Sequence, residues 1–181
     1  MARRTRTAVV AGTLVCLLLC LLLGSVMQPA HAQLSSVARE IEKQFRAGDT
    51  RTALQRLELA TATRPGDVGL RFLQGVLLSE SGRTVEAVAV FERMTEEFPD
   101  QPEPYNNLAV IEAAKGQLDR ARKLLETALR LDPAYRTAHE NLGDVFVRLA
   151  QRAYEAAANS RNAEPLLQTK LRLARELAAS R

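Results

Sequence analysis

The sequence contains no tryptophan, and aromatic residues make up only 4% of its 181 positions. Single-stranded nucleic acid is held by basic side chains interleaved with stacking aromatics, and no such stripe is present. Cysteine occurs twice, at Cys16 and Cys20, and histidine twice, at His31 and His139. Beyond residue 32 there is no cysteine and one histidine, so a cysteine nucleophile and the usual multi-His/Cys zinc site are excluded there. A Ser/His/Asp triad would have to use His139, which is read as a packing residue. Gly66 and Gly69 flank Asp67 and Val68 without a following Gly-Lys-Ser/Thr, so no phosphate-cradling loop is present. Glu96, Glu97 and Asp100 form an acidic cluster that reads as a solvated helix end. The chain is therefore read as a non-enzyme with no cofactor, no metal and no nucleic-acid partner.

The first 32 residues are of different material. Arg3, Arg4 and Arg6 precede the apolar run Leu14–Leu23, and Ala30 and Ala32 flank His31. A positive start, a short apolar core and a small-x-small site read as a secretory signal cut between Ala32 and Gln33. The expected location is periplasmic or secreted. The alternative is an inner-membrane anchor: the uncharged stretch 8–27 is about as long as a span of ~20 residues. Loss of residues 1–32 would remove both cysteines, which suits an oxidising compartment. It would also leave 22 basic residues against 21 acidic ones, so the pI of 9.4 carries no message about nucleic acid.

What the rest of the chain does have is a period. Gly48, Gly82 and Gly116 are spaced by 34 residues, as are Ala53, Ala87 and Ala121, and Pro65, Pro99 and Pro133. Ile41, Gly75, Ala109 and Gly143 form another column. Leu57, Phe91 and Leu125 form a further one, as do Ala60, Met94 and Ala128. Glycine ends a helix where left-handed geometry costs it nothing. Alanine lets two helices approach, and proline closes the second helix of each unit. The spacing predicts helices over 34–46 and 50–63, 67–80 and 84–97, and 102–114 and 118–131. In the fourth unit the expected Gly is Ala150 and the expected Pro is Leu167, and "RLAQRAYEAAANS" contains no helix breaker. One long helix over 136–158 is expected instead, then a loop (159–163) and a capping segment (164–181) whose helix starts at Glu164-Pro165.

In-phase Gly, Ala and Pro at a period of 34 resemble the tetratricopeptide repeat. The resemblance covers roughly residues 34–158, as units 34–67, 68–101, 102–135 and a degenerate 136–158. It implies an all-α fold: a right-handed α-solenoid of about three and a half helix pairs plus a C-terminal capping helix. It is similar to small exported tetratricopeptide proteins of Gram-negative bacteria, which implies a non-catalytic adaptor or scaffold. Such an adaptor would bind a peptide or helix of a cell-envelope protein in the concave surface of its inner helices. By family analogy the groove positions are Phe72, Val76, Glu103, Asn106, Val110, Glu140, Asp144, Val147 and Arg148. The acids Glu103, Glu140 and Asp144, with Val110 and Val147 around them, are expected to choose the partner. Asn107 and Asn141 share one column and are expected to make local inter-helix hydrogen bonds. The alternative role is a structural subunit of a membrane-bound complex, tethered by an uncleaved N-terminal helix.

Overall fold

The computed structural model describes residues 30–159 and 165–179. Every regular element among them is an α-helix: α1 (Ala30–Arg46), α2 (Thr50–Thr63), α3 (Val68–Glu80), α4 (Thr84–Glu97), α5 (Pro102–Ala114), α6 (Leu118–Leu131), α7 (Arg136–Ala158) and α8 (Pro165–Ala179). The expected Arg cluster, the apolar run 8–27 and the loop residues 160–163 lie outside the described residues. Two compact units divide the chain, residues 1–39 and residues 40–181. The first is described only by the opening turns of α1.

The three period-34 glycines each sit just after an inner helix with φ of 93°, 78° and 79°. The turn around each is the same. The amide after the glycine reaches the carbonyl five residues back: Asp49 to Gln44 at 3.3 Å, Arg83 to Leu78 at 2.9 Å and Gln117 to Glu112 at 2.9 Å. That bond satisfies a carbonyl the helix end would otherwise orphan. Aspartates start two of the helices. The Asp49 carboxylate accepts from the Thr52 amide, and that of Asp67 accepts from Leu70 at 3.0 Å. The expected start of α3 at 67 is thus its cap. α1 begins at Ala30, four residues ahead of expectation, because no Gly or Pro separates Ala30 from Gly48. Ala150 stands where the fourth turn would need glycine, and α7 runs on for 23 residues as expected.

Helices adjacent in sequence pack on one another from α2 to α8, and the inner helices α3, α5 and α7 also touch in succession. Two apolar clusters result, and each joins a helix pair to the next inner helix. One combines Leu78, Ala87, Phe91 and Met94 with Leu108 and Ile111 of α5. The other combines Ala109, Ala113, Leu118, Ala121, Leu125 and Ala128 with Ala138 and Val145 of α7. Leu124 packs against both clusters. Stacking of this kind buries the faces that no single helix pair could cover by itself.

Candidate functional site

Among the described residues, one cleft opens between α3 and α5 and another between α5 and α7. The first, of about 350 Å³, is lined by Val68, Gly69 and Phe72 of α3, Met94 of α4, and Gln101, Glu103 and Pro104 at the start of α5. Its walls are apolar and Glu103 supplies a carboxylate at its edge. Phe72 is half-buried, with its ring 6.0 Å from that of Phe91, and Val76 is half-buried against the same cluster. Phe72 and Val76 therefore serve the packing between repeats, and Phe72 keeps one side on the cleft.

The second cleft, of about 170 Å³, lies between α5 and α7. Ala109, Val110, Ala113 and Ala114 face Asn141, Val145 and Arg148 across it, with Leu125 at its base. Val110 is 47% exposed. Arg148 is half-buried and donates from Nη1 to the Ala113 carbonyl at 2.8 Å, at the negative end of the α5 dipole. Asn141 donates from Nδ2 to Asn106 Oδ1 at 2.8 Å.

Several placements differ from expectation. Asn106, read as an exposed groove residue, is buried at 5% exposure, because the next inner helix covers its column and Asn141 satisfies its amide oxygen. Asn107 does not reach a neighbouring helix; its Nδ2 donates to the Glu103 carbonyl one turn back. Val147 does not join Val110. It lines a separate cleft of about 230 Å³ with Ala150 and Tyr154 of α7 and Lys170, Leu173, Ala174 and Leu177 of α8. Nor are the three acids a single cluster. Glu103 edges the first cleft, Glu140 is exposed and ion-paired with Arg136 at 2.8 Å, and Asp144 is half-buried and engaged. His139 is exposed rather than a core residue, with Nε2 3.0 Å from the Pro133 carbonyl.

One residue that sequence reading passed over is Glu112. It is 3% exposed at a position where the preceding repeat has Leu78. Lys115 meets it at 3.0 Å and Arg120 at 3.7 Å, and Arg120 also holds Glu92 of α4 at 3.1 Å. A buried carboxylate with two cations is compensated rather than left isolated. The signal available in the sequence was a charge in an otherwise apolar column. Among the described residues no group of three His, Cys, Asp or Glu side chains could hold a metal ion, and no helix is long and apolar enough to cross a membrane.

A sequence profile of the tetratricopeptide repeat matches residues 44–111 and 78–142, more than half of the chain. The chain belongs to the tetratricopeptide-repeat family. It is 34% identical over 77 residues to a TPR repeat-containing thioredoxin of Arabidopsis thaliana, and 45% identical over 65 residues to tetratricopeptide repeat protein 8 of Mus musculus. These matches cover 42% and 35% of this chain but only 11% and 13% of those proteins. Among solved structures, MamA from Desulfovibrio magneticus superposes with a TM-score of 0.55 at 19% identity, over 80% of this chain and 75% of that one. At that identity the likeness shows the fold alone, a tetratricopeptide-type α-solenoid. A tetratricopeptide repeat is typically a protein-binding scaffold without catalysis.

Proposed function

We propose that the chain is an exported, non-catalytic adaptor that holds a segment of a cell-envelope protein along its inner helices. The observation that carries this is the pair of clefts opening on α3, α5 and α7. The first offers an apolar wall with Glu103 at its edge, and the second offers Val110 beside Arg148 and Asn141. A segment with an apolar side chain for the first cleft and a basic residue beside it for Glu103 suits that arrangement. Pockets that bury a few apolar anchors carry most of the affinity in such recognition. The charges set selectivity and rate of capture.

Export is supported by the Arg cluster, the short apolar run and the Ala30–Ala32 site. N-terminal sequencing of the protein recovered from cells separates the two roles. A chain that begins at Gln33 is the free adaptor, whereas one that begins at Ala2 is the tethered subunit. Changing Ala32 to Arg should leave a larger, membrane-retained precursor. Capture of the partner is tested with Glu103→Lys and Val110→Lys together, substitutions on residues that reach solvent. The double variant should keep its helical signal and melting temperature but fail to retrieve the protein that the wild type retrieves from the envelope fraction. Retrieval of that same protein by both chains contradicts the reading.

A further inference from the structure

In the fourth unit α8 packs on α7 only further along, where Lys170, Leu173 and Leu177 border a cleft with Val147, Ala150 and Tyr154, and no outer helix covers Gly143 and Phe146 in the first half of α7. In the second repeat Gly75 lies under Phe91 of α4, so closely that a Cβ at residue 75 would stand 2.4 Å from the ring. In the third, Ala109 is fully buried together with Leu125 of α6. The matching residue of α7 is Gly143, and nothing lies within 4 Å of a Cβ built there. Leu78 and Glu112 are buried in their repeats, yet Phe146, their counterpart, is 48% exposed. Gly143 and Phe146 are one turn apart and mark one face of the first half of α7. The slot thus has the lining of an intramolecular interface and lacks the helix.

The same end of the chain has a helix face of the complementary kind. Leu166, Lys170, Leu173 and Leu177 follow one another at spacings of four, three and four, which places them on a single stripe of α8. The three leucines are 47–61% exposed, while the neighbouring stripe, Leu171 and Ala174, is buried. Lys170 has only Leu167, Leu166, Leu173 and Ala174 three and four residues away, so no acid on its own helix faces it. An exposed acid does stand one turn before Gly143 on α7, namely Glu140, which pairs with the equally exposed Arg136.

We propose that a second copy of this chain fills the slot. The leucine stripe of α8 from each copy lies along the first half of α7 of the other, with Leu173 over Gly143 and Lys170 beside Glu140. The arrangement is isologous: each copy donates the stripe it also needs, as a twofold interface requires. It covers Phe146 and the leucines together, and one lysine–glutamate pair on each side fixes the register.

Two differently tagged copies of the full chain, both carrying Cys16→Ser and Cys20→Ser, are co-expressed. One also carries Phe146→Cys and the other Leu173→Cys. Oxidation or a short bis-maleimide should give a product containing both tags. Lys170→Glu in both copies should cut its yield several-fold, and adding Glu140→Lys to both should restore it. That restoration distinguishes a specific pair from loss of folding. Absence of the mixed product, a product of Phe146→Cys with some other protein instead, or a yield unaffected by Lys170→Glu overturns the proposal.

Discussion

Residue 75 can be nothing larger than glycine without displacing the Phe91 ring, because the Cβ site is already occupied. Gly75→Ala should therefore destabilise the protein by roughly 1–3 kcal/mol, the usual cost of overpacking a filled core. Gly143 occupies the same column in open space within the interior of a helix. There, Gly143→Ala should stabilise by about 0.5–1 kcal/mol, since alanine loses less backbone freedom in a helix. Paired chemical denaturation curves check both signs, and equal shifts of the same sign would mean that the columns are misaligned. Ala121 is fully buried where α6 meets its neighbours, so Ala121→Leu should cost a similar 1–3 kcal/mol. The columns themselves were legible in the sequence because small residues recur where paired helices approach and glycines where the turns need a positive φ. Which member of a column faces an aromatic ring was not, since Phe91 and Leu125 look interchangeable as letters. Glu112 shows the reverse problem: a charge in an apolar column is interpretable only once Lys115 and Arg120 are seen beside it.

Element boundaries followed the sequence closely because the breakers are unambiguous. The three turns need φ between 78° and 93°, and only glycine takes that without strain. Nothing lies within 4 Å of a Cβ at Gly116, so Gly116→Ala isolates the backbone term, and about 1–2 kcal/mol should be lost. Between elements, ion pairs on the surface link successive helices. Asp119 of α6 accepts from Arg152 of α7 at 2.8 Å, and this bond, with the Arg152 charge, holds the Asp119 carboxyl below its ordinary range. A depressed carboxylate contributes stability above its unfolded pKa and loses it as pH falls through the folded value. Asp119→Asn should thus lower the melting temperature slightly at neutral pH, with the difference from wild type closing below about pH 4, under the ordinary aspartate range. Because the pair is exposed, added salt should also narrow the difference. A gap that persists in strong acid would assign the effect to packing instead.

For the molecule as a whole, the fold class was legible and the site only in part. A period of 34 fixes how helices pair, but not which faces remain open after the pairs stack. Its column marks Asn106 as exposed, yet the next inner helix buries it. Val110, one turn along the same helix, stays open because Ala113, Ala114 and Arg148 leave room beside it. The proposed adaptor holds its partner on these inner helices rather than on the outer ones, and that is the central point to test. A photoreactive residue at Val110 of α5 and, separately, at Val85 of α4, which is 84% exposed on an outer helix, puts equal reactive chemistry on the two faces. After irradiation of intact cells, adducts are identified by mass spectrometry. A discrete adduct with one envelope protein from Val110 and none from Val85 is the expected result. The same adduct from Val85 alone, or no adduct from Val110, would contradict a partner held along the inner helices.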